Sequence, residues 1–497
     1  MSYGAILVAT LATIFIYDNA EKAYGAARFL IDTSLFLSLF IWAGTGPMTV
    51  KFYPEFYKEG KGDRGLLRFA LQIIAVSGLV FIILFLLFKE NIQEYARSKD
   101  ALYEQVIPLI IPMSILVALM YLFTSYASNF KRIVIPSILQ NLIKLSLPAF
   151  ILLIILGKFT YAQLFYGILS TYGIIVILFI YYIWQQGKLT LVSKEKFITK
   201  SKTKSLLTFA GFNLFAGMSG FMALKIDSIM IPNILSEDIF TNNGVYGIAA
   251  FIGAAIAIPY TSIVNISGPL ISDSIKKNNF DHVEELYKKG STNLLLVGLA
   301  LFCLVSLSIG DLFNFMDASE LLKDSMIVVI LIGIAKLVDM GSSLNNQIIN
   351  YSDKYKVYIF FLGMMAISNV LLNIILVKKF GISGAAMATC ISMIIFNLAK
   401  LIYIQFQFKI QPFSKSTIYL LAIAGFAFVC VYFLPIENFQ IQNWSLQLNA
   451  LISIGIKSIL FILIYGSLIL WIKPSPDFHE LLIDLWTGLK KGELNLK

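Results

Sequence analysis

The sequence predicts an all-α polytopic membrane protein of about fourteen transmembrane helices. Three observations predict it. Of 497 residues, 58% are hydrophobic and only 14% charged, against roughly 45–50% and 25% in soluble domains. The apolar residues gather into runs near the ~20 that a helix needs to cross a bilayer core. No polar stretch is long enough to fold separately, so much of the apolar surface must be covered by lipid.

In chain order the runs lie at 2–17, 29–50, 66–88, 106–127, 136–157, 161–184, 206–231, 244–270, 292–310, 325–350, 357–377, 382–404, 416–434 and 450–472. The first is short for a span, and the chain is expected to start a few residues inside what longer relatives carry. Cys303, Cys390 and Cys430 all fall within apolar runs, so no disulfide framework is implied. After the last run, Ser475 and Pro476 read as an N-cap and first helical position. Phe478, Leu481, Leu482, Leu485, Trp486 and Leu489 then keep helical spacing before Lys490 and Lys491. That pattern predicts an amphipathic helix on the membrane surface.

Loop charge sets the orientation. With the N-terminus inside, 25 of the 39 Lys and Arg fall in inside loops or, as Arg68 does, at the inner edge of a run, nine in outside loops and five deeper within runs. The excess belongs on the cytoplasmic side, so both termini are expected there, in a bacterial inner membrane. The net charge of +10 is therefore a topology signal, and no nucleic-acid partner is expected.

The sequence also repeats. Tyr24-Gly25-Ala26-Ala27-Arg28-Phe29 matches Tyr246-Gly247-Ile248-Ala249-Ala250-Phe251, and at the same offset Gly46-Pro47 falls on Gly268-Pro269. Tyr57-Lys58-Glu59-Gly60 then meets Tyr287-Lys288-Lys289-Gly290, and Lys158-Phe159 meets Lys379-Phe380. Six spans per copy is an even number, so both copies enter the membrane in the same direction. The prediction is a parallel pseudo-twofold repeat suited to alternating access: a six-helix lobe over 1–204, a second over 205–415, two additional helices over 416–472 and a cytoplasmic tail over 473–497. Gly46, Pro47, Gly268 and Pro269 are its scaffold or hinge positions.

Four stretches carry a resemblance: Tyr24 to Pro54, ending Lys51-Phe52-Tyr53-Pro54; Lys225-Ile226-Asp227-Ser228-Ile229-Met230-Ile231; Gly333 to Asn350, with Leu344-Asn345-Asn346-Gln347; and Gly381-Ile382-Ser383-Gly384-Ala385-Ala386-Met387-Ala388-Thr389. In these the chain resembles the polysaccharide-exporting branch of the multidrug/oligosaccharidyl-lipid/polysaccharide (MOP) exporter superfamily, the Wzx-type O-antigen flippases, related to MATE transporters and lipid II flippases. The likeness extends over nearly the whole chain, the short first helix being the main departure, and its motifs are loose. It implies two lobes around a V-shaped cavity walled mainly by helices 1, 2, 7 and 8. It implies undecaprenyl-diphosphate-linked oligosaccharide as cargo, an O-antigen or other surface-polysaccharide unit. It also implies a lipid-tail groove on the two additional helices, by analogy with lipid II flippases.

An ionisable residue within a span is costly and therefore a functional candidate. Lys225 and Asp227, two residues apart, point to different faces and each needs another partner; the resemblance places them on the cavity-lining helix 7, facing phosphate or sugar. Lys336 and Asp339, at i,i+3, either pair with one another or serve cargo or protons. Arg28 and Asp32 sit at the outer mouth of helix 2, and the repeat replaces them with Ala250 and Ala254. Lys144 either meets a diphosphate or snorkels, and Lys400 and Lys457, near run ends, are expected to snorkel. Asn345 and Asn346, with Asn350, Asn369 and Asn373, either bond sugar hydroxyls or tie helices together. Pro108, Pro112, Pro148 and Pro259 are expected as mid-helix kinks.

The expected partners are lipid-linked oligosaccharide, membrane lipids and other polysaccharide-assembly proteins. No cofactor or metal is expected, and the energy source is left open among H+, Na+ and the membrane potential. The rival readings are an ion-coupled, MATE-like multidrug antiporter and, from another class, a membrane-embedded polysaccharide polymerase or ligase. Enzyme chemistry is not expected: the outer loops are short, there is no P-loop, and the histidines, His282 and His479, fall on the inside.

Overall fold

The computed structural model describes residues 2–58, 62–130, 134–187, 198–435, 444–475 and 479. Its elements, in order, are α1 (Ser2–Ala12), α2 (Glu21–Trp42), α3 (Thr45–Phe56), α4 (Leu66–Leu87), α5 (Lys89–Lys99), α6 (Ala101–Ser128), α7 (Val134–Ile155), α8 (Tyr161–Gln185), α9 (Lys200–Lys225) and α10 (Asp227–Ile234). There follow α11 (Ile239–Ala254), α12 (Ile258–Lys276), α13 (Phe280–Met316), α14 (Glu320–Asp324), α15 (Met326–Ser342), α16 (Asn345–Tyr351), α17 (Tyr355–Phe408), α18 (Lys415–Tyr432) and α19 (Leu446–Ile472). Among the described residues the only extended pairing is an isolated bridge between Lys58 and Gly62.

Every one of the fourteen apolar runs is helical, and 11 helical stretches among the described residues are long and apolar enough to cross a membrane. The two figures differ partly because some stretches join two runs. At 54 residues, α17 would span about 81 Å if straight, far more than one bilayer crossing. Gly381 breaks it, with φ 56° and ψ −136°, a conformation open to glycine and costly for other residues. Polar side chains set the other ends. Asp100 accepts from the Leu102 amide at the start of α6, and Thr160 and Gln163 form a capping box at the start of α8.

Two breaks depart from the sequence pattern. Ala43 and Gly44, both left-handed, separate α2 from α3. At Gly44 a Cβ would lie 2.1 Å from the Ala210 carbonyl oxygen. Gly46 and Pro47 consequently sit in the first turn of α3, where a proline costs no helical hydrogen bond, whereas their repeat partners Gly268 and Pro269 lie inside α12. Pro259 is not a mid-helix kink: it stands at the start of α12, after a 3₁₀ turn over Ala255–Ala257. Pro108, Pro112 and Pro148 do lie inside helices. The expected tail helix beyond Ser475 falls outside the described residues.

The chain forms two compact units, Met1–Ile248 with Asn373–Ile382, and Ala249–Leu372 with Ser383–Lys497. The first runs past the 204/205 boundary of the expected lobes, because α9 and α10 pack on α2. Within it α2 also crosses α11 at backbone contact distance. A Cβ on Gly25 would meet the Phe240 carbonyl oxygen at 1.8 Å, and one on Gly244 the Glu21 carbonyl oxygen at 2.0 Å.

In the second unit α18 and α19 pack on α13 through Leu296, Leu299, Cys303, Ala424, Phe461 and Tyr465. Lys457 does not snorkel. Its Nζ pairs with Asp311 at 2.6 Å, and Ser453 donates to the same carboxylate. A charge pair inside a helical bundle satisfies both partners without either reaching the lipid surface.

Candidate functional site

The structure gathers four of the expected site residues, Arg28, Asp32, Lys225 and Asp227, into one cluster of the first unit. The interruption between α9 and α10 arranges it. Lys225 is the last residue of α9 and Asp227 the first of α10, so the cation stands at a helix C-terminus and the anion at a helix N-terminus. Both placements are favoured by the peptide dipoles.

As the two-residue spacing requires, Lys225 and Asp227 take separate partners. Lys225 Nζ donates to Asp32 Oδ1 at 3.0 Å. Ser228 Oγ donates to Asp32 Oδ2 at 2.7 Å, and Arg28, one turn before Asp32 on α2, brings Nε to 3.6 Å of Oδ2. The Arg28 guanidinium also lies over the Tyr246 ring, 5.4 Å from its centroid, and donates to the Asn243 carbonyl. Asp227 accepts from the Tyr246 hydroxyl and, at 2.8 Å, from Asn373 Nδ2.

The exposures are unequal. The Asp32 side chain is 7% exposed and that of Lys225 50%. Asp227 is buried and Arg28 mostly so. Two carboxylates are thus sunk in the protein, and one of them, Asp32, holds both cations, of which the ammonium reaches outward. The four charges sum to zero, but the surface offered is positive. Such a surface can take an anion by charge-assisted hydrogen bonds, at the cost of loosening the Lys225–Asp32 contact.

Ser228, Asn243, Tyr246 and Asn373 are members that charge alone does not reveal. Tyr246 carried a signal, since it repeats Tyr24. The repeat nevertheless puts the two to different uses, Tyr24 stacking on Tyr17 at 4.1 Å.

Other candidates fall elsewhere. Lys144 is exposed on α7, with no ion pair among the described residues. Lys336 and Asp339 are both half-buried on α15, and no ion pair joins them among the described residues, so the i,i+3 bridge is not formed. Asp339 instead lies within electrostatic range of Lys400 and Tyr260.

Lys400 is a correction to the sequence reading. It is 0% exposed and does not snorkel. Its Nζ donates to Asn345 Oδ1 at 3.2 Å and Asn346 Oδ1 at 2.8 Å, and sits 3.6 Å from the Phe396 ring centroid. Asn345 in turn donates to Asn397 at 3.2 Å. The break that delivers these amides is Ser343, with φ 51°, between α15 and α16. Asn369 likewise donates to Thr389 at 3.1 Å. These amides therefore tie helices together, the commoner use of such groups at membrane depth.

No family model matches the sequence, and no curated protein matches it. Solved structures do. The chain is similar to a structure of the lipid II flippase MurJ in an inward closed conformation, with a TM-score of 0.68 at 16% identity, over 94% of this chain and 98% of that one. It is also similar to an inward-facing multidrug resistance MATE family transporter of the MOP superfamily, with a TM-score of 0.60 at 13% identity, over 82% and 94%. A third likeness is to a MOP superfamily transporter from Pyrococcus furiosus, with a TM-score of 0.54 at 12% identity, over 82% and 93%. At such identities the likeness establishes architecture, and that architecture is the all-helical membrane fold shared by MurJ and the MATE transporters.

Proposed function

We propose that this protein flips a polyprenyl-diphosphate-linked oligosaccharide across the bacterial inner membrane by alternating access, with both termini cytoplasmic. One observation carries the reading: Lys225, half exposed at the end of an apolar helix, held by the buried carboxylate of Asp32 with Arg28 beside it. A cation kept at membrane depth is costly unless something uses it. An anionic diphosphate headgroup uses two adjoining cations well. Asp32 serves as the internal counter-ion, releasing Lys225 when cargo arrives and recapturing it when cargo leaves.

The likeness to MurJ, a flippase for lipid II, supports a lipid-linked cargo and covers more of this chain than the MATE likenesses do, 94% against 82%. A drug or cation antiporter would want acidic groups turned outward, whereas here Asp32 and Asp227 are buried and the ammonium is outermost. The two additional helices and their lipid-tail groove remain part of the proposal by analogy, as do the repeat-related lobes.

The test is transbilayer movement of a polyprenyl-diphosphate sugar in vesicles containing the purified protein. Lys225→Ala should slow movement about tenfold, the equivalent of ~1.4 kcal/mol. Undiminished movement in that variant removes Lys225 from the site, and absence of movement with the unaltered protein ends the flippase reading.

A further inference from the structure

The first unit holds a cavity of about 640 Å³ beside the charged cluster but outside it. Its walls include Phe29, Thr33 and Leu37 of α2, Phe85 of α4 and Ile107 of α6, and Asn233 at the end of α10 closes one side. The volume lies within the range of roughly 300–1,000 Å³ typical of small-ligand sites. The cavity borders α4, a helix of mean hydropathy 2.8 with only 17% of its apolar window buried. Leu84, which also lines the cavity, is itself exposed, so the site meets the bilayer.

What fills such a space follows from its lining. An apolar cavity stays dry, and an empty one forfeits dispersion contacts along its walls. Between a lipid-facing helix and the protein interior, the available filler is hydrocarbon chain. Since lipid tails are as apolar as the walls, occupancy is decided by packing and local concentration.

Local concentration selects one chain in particular. Arg28 and Asp32 fall one turn apart on α2; Phe29, Thr33 and Leu37 fall one turn apart on the adjacent face, each one residue further along. On α10, Ser228 contacts Asp32 and Asn233 lines the cavity, five residues on. A headgroup held at the cluster therefore brings its own hydrocarbon to the cavity mouth at high effective concentration.

We propose that this α2–α4–α6 cavity seats the headgroup-proximal stretch of the cargo's polyprenyl chain. The inference rests on the proposed function and extends it: α2 presents a charged face to the diphosphate and the mostly apolar face of Phe29, Thr33 and Leu37 to the chain. The cavity cannot hold a whole polyprenyl chain, so the remainder lies outside it.

Leu84→Trp and Ile107→Trp fill the cavity without touching the charged cluster. In vesicles they should slow transport of a polyprenyl-diphosphate sugar about tenfold while leaving binding of a chain-free diphosphate sugar unaffected. A benzophenone amino acid at Leu84 should crosslink the polyprenyl cargo, and excess of the same sugar on a two-isoprene chain should compete the crosslink away. Equal loss of transport and of chain-free headgroup binding, no slowing of transport, or a crosslink confined to bulk phospholipid would each overturn the chain-seat proposal while the flippase reading stands. If the unaltered protein moves no polyprenyl cargo, both fall.

Discussion

Lys225 and Lys400 both lie in apolar helices, and the protein treats them in opposite ways. Lys225 leans on a carboxylate yet remains half exposed. Lys400 is sealed from solvent, and among the described residues no carboxylate lies within ion-pair distance; two amide oxygens and an aromatic face hold it. The first arrangement is exchangeable, because water or a ligand can replace Asp32 at the ammonium without unpacking the protein. The second is not, since every atom around Lys400 would have to move. Charge in apolar helices thus takes two forms here: a half-exposed, exchangeable pair, which the proposed function uses, and a pin between α16 and α17.

The contrast can be broken by substitution. Asp32→Ala should have the largest effect. It strips the shared acceptor from Lys225, Ser228 and Arg28, and leaving the mostly buried Arg28 guanidinium without its carboxylate costs about 3–5 kcal/mol. Thermal unfolding in detergent should drop clearly and transport should vanish. Asn346→Ala should come next, at about 1–3 kcal/mol of stability, because it removes the shorter of the two amide contacts from a fully buried ammonium. Lys225→Ala should leave stability within ~1 kcal/mol, as expected of a half-exposed ion pair, while still slowing transport. Lys400→Met should do least, because replacing a buried charge by an apolar chain of similar length is often neutral or stabilising. If Lys400→Met abolishes transport while the protein stays folded, the pin reading is wrong and Lys400 belongs to the transport cycle.

The sequence disclosed the spans because apolarity is a per-residue property that needs no partner to be seen. All fourteen runs are helical for that reason. It did not disclose where helices break. Ala43 and Ser343 adopt positive φ under tertiary constraint, and nothing in either residue type announces that. The four charges of the cluster were legible as costly, and the spacing of Lys225 and Asp227 correctly excluded their mutual pairing. The partner that matters, Asp32, lies 193 residues from Lys225, beyond the reach of any local pattern. Lys400 and Lys457 were misread because a position near the end of an apolar run says how far a side chain could reach, not which way it points. Amide acceptors for one and a carboxylate for the other turned both inward.

The crossing of α2 over α11 has a practical consequence. With carbonyl oxygens seated where the missing β-carbons of Gly25 and Gly244 would stand, one added methyl becomes a wedge between the two backbones. Gly25→Ala or Gly244→Ala would therefore prise α2 from α11 and destabilise the first unit, which makes this crossing the least substitutable contact of α2.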